Sequence, residues 1–505
     1  VSQQARQQFF GYVVFLGAHC AYGQAGSRRR WIVRLHKILH TLDFYPEGCM
    51  KLSPRSRQYS FDLSDAEIDR MVSVAPTRIT WDGADDRVRS GLLENGLRSV
   101  VVPDSQMRDL LRQLTGMVQA HAISRMESDA SYIEGLYSRK PWGSTRSPAI
   151  CFTGLQGVGK SQVLQSLSRI LLGRAEQMSV RGHAGIDLMP MWLMTLAKGD
   201  GLNQLLREHV DPVWQDTESK TSIRNGSAPK SWSVPKILEF AERASWRHAT
   251  CLAAIDEFQW ISASSGANAR AASVLLKLHG IGPLLLYCAN FSLGHKLKGR
   301  PPEDRDRLLS CPIIMRPFGS KCPDLTVYLK ALREVAPDIL IFDPARDQDS
   351  IYLFTFGIRR KIVDLLVAAY KVACRPGGAG KVGISQICDA YRSELYAMHR
   401  EDVEVLFRQL VNRNMESQAL WCPFGSMDQG YSNVTEATKI VNAFEKRVED
   451  DYLRESLTPS EAKAFDAVQP QASGNAKPAK VFRFRKGKAT KEDLLAGSAI
   501  LDKFL

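Results

Sequence analysis

What this 505-residue chain has little of narrows its function before any motif is considered. Its ten cysteines are scattered, with no C-x-x-C pair and no Cys/His cluster at metal-ligand spacing, which argues against a zinc site or a disulfide framework. Such thiol usage suits a reducing cytoplasm. Long apolar runs are scarce. The best, "FFGYVVFLGAHCAYG", is interrupted by Gly11, His19 and Gly23, so it is too short to span a bilayer. Only Arg6 precedes it as a charged residue, which is a poor start for an export leader. No internal repeat is present, which counts against a solenoid or a sensor-repeat array. Acidic charge is in deficit: 67 Lys and Arg face 54 Asp and Glu, a net charge of +13. An excess of that size favours a polyanionic partner, because Lys and Arg release counterions from phosphates.

The length exceeds what one core normally supports, and the pattern changes along the chain. Residues 1–62 are an N-terminal extension without a functional reading, although Arg28 to Arg30 form a basic triplet in it. Residues 63–146 read as an adaptor region, with helical periodicity clearest in "DSQMRDLLRQLTGMVQAHAISRM". From 147 to 320, short apolar runs alternate with amphipathic helices: "PAICFT", "MPMWLMTLA", "ATCLAAIDE" and "PLLLYCAN" are the runs. Runs of that length between helices predict parallel strands buried on both faces, hence a doubly wound α/β core. Helices dominate from 321 to 458, as a lid would. Residues 459–505 read as a flexible basic tail, "PQASGNAKPAK" then "VFRFRKGKATK", closed by the short amphipathic "EDLLAGSAILDKFL".

The sharpest motif is "GLQGVGKS", which satisfies G-x-x-x-x-G-K-[ST] between an apolar strand and a helix. Gly154, Gly157, Val158 and Gly159 would wrap main-chain N–H groups around phosphates at a helix N-terminus. Lys160 would reach the β- and γ-phosphates of ATP, and the Ser161 hydroxyl would bind Mg2+. About a hundred residues on, the "CLAAIDE" strand ends in Asp256 and Glu257. Asp256 would hold the magnesium water shell, and Glu257 would polarise the attacking water. Asn290 ends the following strand and can hydrogen-bond that water or the γ-phosphate. Downstream, Arg305 or Arg307 could enter a neighbouring subunit's site as an arginine finger. Arg359 and Arg360 open a helix after Gly357, and Arg360 is the better candidate for sensing the γ-phosphate.

Glycine loop, acidic strand end, polar strand end, arginines and helical lid together resemble the AAA+ ATPase family. Within it, "AAIDEFQWIS", "GIGPLLLYCANFS" and "GIRRKIVDLLVAAY" look like the TnsC/TniB-type transposition regulators. These carry a Gln two residues after the acidic pair, here Gln259. The later "ISQICDAYRSELYAMH", with Tyr391, Glu394 and His399, is similar to the family's lid-end helix, and "LRSVVVPDSQMRDLL" to its lead-in. The resemblance covers roughly residues 96 to 412. It implies ATP-bound subunits that form rings or filaments on double-stranded DNA, receive a target-selector protein and recruit a DDE transposase, with hydrolysis regulating disassembly. Lys198, in "TLAKGDG", resembles the family's DNA-facing loop. Two departures stand out: "YCANFS" replaces the commoner G-T-P ending of the sensor strand, and the region before Leu63 matches nothing in the family. The tail's aromatics and cations suit nucleic acid or an acidic surface, and its last helix could dock in a transposase groove. An initiator or helicase loader, or an oligomerising signalling NTPase without a DNA role, are the competing readings.

Overall fold

The parallel strands expected from the apolar runs are present, and their register explains why those runs are continuous. The structure is a computed structural model; it describes Tyr59 and residues 63–425 apart from 82–84, 127, 144–146, 174–176, 181, 196–201, 211–231, 257–264 and 376–378. Strands β1 (Ile150–Gly154), β4 (Met191–Thr195), β5 (Leu252–Asp256), β6 (Leu284–Ala289) and β7 (Cys311–Met315) form one five-stranded sheet in the order β4-β5-β6-β1-β7. Every neighbouring pair in it is parallel. Between β1 and β4 a small antiparallel hairpin is inserted, β2 (Gln177–Val180) with β3 (His183–Asp187).

Side chains alternate between the faces of a strand, and here both faces are covered. On β6, Leu284, Leu286 and Cys288 enter one core while Leu285, Tyr287 and Ala289 enter the other. Ile150 and Phe152 of β1 likewise face the first core, and Cys151 the second. Helices α1 (Asp65–Val72), α2 (Asp86–Ser99), α3 (Ser105–Arg125) and α4 (Asp129–Tyr137) precede the sheet. Met107, Leu110, Leu111, Leu114 and Val118 of α3 share the first core with Val163, Leu164 and Leu167 of α5 (Lys160–Leu172). The second core is closed by a helical segment at 202–210, α6 (Val234–Arg247), α7 (Ser265–His279), α8 (Phe291–Lys298) and α9 (Pro302–Leu308).

Past the sheet the described chain is helical: α10 (Pro323–Val335), α11 (Gln348–Thr355), α12 (Arg359–Ala373), α13 (Ile384–Arg392), a 3-10 turn at Glu394–Tyr396 and α14 (Ala397–Asn412). α12 is apolar around most of its circumference, and Ile362, Leu365, Leu366, Ala369 and Ala373 are all buried. All the described elements belong to one compact unit, residues 1–440; the second unit, 441–505, lies outside the described residues. This is an α/β core with helices on both faces of a parallel sheet, followed by a helical region.

β7 differs from the sequence expectation, which assigned no strand there. It is an edge strand carrying Pro312, whose missing N–H is tolerated where no further strand pairs. Among the described residues no helix is long and apolar enough to cross a membrane.

Candidate functional site

In a parallel sheet all carboxyl ends lie on one edge, and ligands bind where the strand order reverses. That point here is the end of β1, which lies between β6 and β7 while the sheet's next strand in the chain, β4, stands at the far edge. The loop from Gly154 to Ser161 leaves β1 at this edge. Gly157 has φ 79° and Gly159 φ 115°, left-handed conformations that favour glycine. Space forbids a side chain as well: a Cβ on Gly157 would stand 2.6 Å from Arg360 Cβ. Gly159 is the N-cap of α5, so the first amides of that helix face the loop's concavity.

A cavity of about 300 Å3 opens over the loop. Gly157, Gly159, Lys160 and Ser161 line it together with Asp256 from the end of β5, Asn290 from the end of β6, and Arg360 from the lid. Gly154 and Val158 belong to the loop but do not line the cavity; Val158 is buried in the first core. Lys160 Nζ donates to the carbonyls of Gly154 and Leu155, each at 2.9 Å. Burial lowers its pKa to about 8. Asn290 Oδ1 is sealed from solvent and accepts no hydrogen bond among the described residues. An orphaned acceptor on a cavity wall is a group kept for a ligand's donor or for a water.

Further residues line the cavity that sequence reasoning did not single out. Cys288 is one; its buried thiol is pushed well up in pKa by desolvation, with Asp256 beside it raising it further. Arg98 from α2 is another. It donates to Asp364 Oδ1 at 2.8 Å and is held by Glu94 at the same distance. Asp364 also lies 3.4 Å from His399. Cys288 reaches the cavity as part of β6, whereas Arg98 is brought there by the packing of α2 against α12, which local spacing does not announce.

The remaining sequence candidates fall elsewhere. Arg305 and Arg307 sit on α9, exposed and away from the cavity of their own chain; Arg305 pairs with Asp306 at 3.6 Å. Arg359 lines the cavity but is buried and ion-paired to Asp104. Tyr391 is stacked on Phe354 at 4.4 Å, and Glu394 begins the 3-10 turn. Glu257, Gln259, Lys198, the Arg28 to Arg30 triplet and the whole tail lie outside the described residues.

The residues present fit a nucleoside triphosphate with magnesium. Loop amides and the Lys160 ammonium supply positive charge, while Ser161 and Asp256 are hard oxygen donors on the same cavity. The glycines let the loop pass close under Arg359 and Arg360, where a Cβ would collide. Together the loop, the sheet and the helical region define a P-loop core with an appended lid.

No protein-family model matches the chain, and no curated protein matches it. Three similar solved structures are distant. The Aeropyrum pernix Orc1 protein in complex with DNA is 20% identical over 56% of this chain and 70% of that one, with a TM-score of 0.30. Cdc6p from Pyrobaculum aerophilum is 12% identical over 67% and 83%, with a TM-score of 0.33. The Thermotoga maritima RuvB Holliday junction branch migration motor is 12% identical over 60% and 78%, with a TM-score of 0.27. Likenesses this remote carry no weight for function, and the assignment rests on the site's own geometry.

Proposed function

We propose that the chain is an AAA+ ATPase that binds ATP and Mg2+ in the cavity above the phosphate loop, assembles on double-stranded DNA and links a target selector to a DDE transposase. The observation that carries the nucleotide part is the convergence of Lys160, Asp256, Asn290 and Arg360 on one cavity over a glycine loop. The transposition part is supported by the sequence resemblance over residues 96 to 412.

In this reading the loop amides and Lys160 grip the β- and γ-phosphates, and Ser161 and Asp256 hold magnesium. Magnesium, when bound, withdraws charge from the phosphate oxygens. Glu257, next in sequence to Asp256, is the proposed residue that orients and polarises the attacking water, and Asn290 Oδ1 would accept a hydrogen bond from that water. Arg360 projects the γ-phosphate state onto α12 and so onto the lid. Arg305 or Arg307, exposed on α9, is the proposed arginine finger for a neighbouring copy's site. Lys198 and the basic tail are the proposed DNA contacts, and the terminal helix the proposed transposase contact.

Electron microscopy of the full chain with duplex DNA and a non-hydrolysable ATP analogue tests the proposal. Ordered rings or filaments are expected with the analogue and none without it. Dispersed single copies under both conditions would overturn the DNA-assembly reading.

A further inference from the structure

Arg359 opens the lid helix beside Arg360, yet its surroundings differ from its neighbour's. Arg360 is exposed on the cavity wall, whereas Arg359 is 5% exposed. The Arg359 guanidinium donates to a carboxylate oxygen of Asp104. It lies 4.6 Å from the ring centroid of Phe318 and 5.2 Å from that of Tyr328. Asp104 is also buried, at 7% exposure. Its other oxygen caps α3, accepting from the Met107 amide at 2.6 Å. A single carboxylate therefore starts the helix that leads into the core and anchors the first residue of the lid helix.

The arginine stem presses on the phosphate loop from this anchored position. A Cβ on Gly159 would stand 3.1 Å from Arg359 Cδ and 3.3 Å from its Nε. The next residue, Arg360, donates its main-chain N–H to the Gly157 carbonyl at 3.1 Å. Lid and loop thus meet at two of the loop's glycines, and the helix register that brings Arg360 there is the one Arg359 holds. A buried ion pair gains little net stability over apolar residues, because desolvation offsets the attraction. What it can supply is a single permitted arrangement, since displacing either partner strands a buried charge.

We propose that Asp104 and Arg359 are positioning residues of the nucleotide site: their buried pair sets the register of α12 on the loop, so that Arg360 lines the cavity and the loop keeps its shape. The inference rests on the nucleotide-binding reading above. It adds that the region before the core takes part in the site through the lid.

Calorimetric titration of the full chain with magnesium and a non-hydrolysable ATP analogue tests it in a double-mutant cycle. Asp104→Asn keeps an oxygen for the α3 cap but removes the charge. Asp104→Asn and Arg360→Ala are each expected to weaken binding roughly tenfold, and the double variant no further, because Arg360 without its anchor is already misplaced. Arg359→Met keeps an unbranched stem on the loop and leaves the α3 cap of Asp104 in place, so it keeps the test open if Asp104→Asn unfolds. It is likewise expected to weaken binding roughly tenfold, with no further loss on adding Arg360→Ala. Multiplicative losses in either cycle, or wild-type affinity in folded Asp104→Asn or Arg359→Met, would each overturn the proposal. Wild-type protein that takes up no analogue would instead sink the nucleotide reading, and this inference with it.

Discussion

The Lys160 ammonium is satisfied by two carbonyls of its own loop, yet burial makes it a weaker base than an ordinary lysine. Only the protonated form attracts phosphate. In the free protein that form is lost as pH rises through about 8, whereas a bound triphosphate restores it. Affinity for an ATP analogue should therefore fall above pH 8, by up to about tenfold per pH unit, with proton uptake on binding. Calorimetry at pH 7.5, 8.5 and 9.5 in buffers of different ionisation enthalpy measures both. A flat affinity over that span would mean that Lys160 does not bear the phosphate charge. Stability runs the other way: between about 8 and 10.5 the unfolded chain holds more protons, so the ligand-free fold gains stability as pH rises. Lys160→Ala should remove nucleotide uptake while leaving the melting transition of the ligand-free chain within a few degrees of wild type.

Legibility at this site follows how locally each residue's role is encoded. The glycine loop, Lys160 and Ser161 were readable because strand, turn and helix are contiguous there, and Asp256 because it ends an apolar run. Arg98 and the Asp104–Arg359 pair were not. The pair joins residues 255 positions apart, and nothing in the local spacing of either announces the other.

Among the elements, the same division holds. β1, β4, β5 and β6 were readable as apolar runs because both sheet faces are covered, so no polar alternation interrupts them. β7 was hidden by Pro312 and its edge position, and the β2–β3 hairpin because its strands expose half or more of their positions and form no apolar run. The helical segment at 202–210 was readable too, and it carries a pH-sensitive contact. His209 stacks on Trp192 of β4 at 4.9 Å with 8° between the ring planes. Burial lowers its pKa to about 4. The folded chain keeps this ring neutral while the unfolded chain protonates near 6.5, so stability is lost as pH falls from 6.5 towards 4. The whole effect is at most about 3 to 4 kcal/mol, and roughly half of it falls between pH 6.5 and pH 5. Urea melts at pH 6.5 and pH 5 should show that loss in wild type and a clearly smaller one in His209→Gln. Equal losses in both would show that the acid sensitivity arises elsewhere.

For the molecule as a whole, the net charge of +13 and the phosphate site bear on one process in the proposed function. In that proposal, nucleotide held between loop and lid would fix the shape in which copies meet, and the excess of Lys and Arg would hold those copies on a polyanion. The two contributions separate experimentally. Glu257→Gln keeps the carbonyl oxygen but removes the proposed base, so it should bind ATP normally, hydrolyse it at least about a hundredfold more slowly, and accumulate assemblies on DNA. Salt should act on the other contribution. Each DNA phosphate neutralised adds about −0.9 to the slope of log affinity against log salt. With several basic residues engaged per copy, the slope for Glu257→Gln should be steeper than about −3. Sedimentation of the variant with duplex DNA across a salt series at constant ATP measures it. A shallow slope with intact assembly would mean that the positive charge serves another partner. A variant that binds ATP yet never assembles would show that nucleotide and DNA are not coupled in this chain.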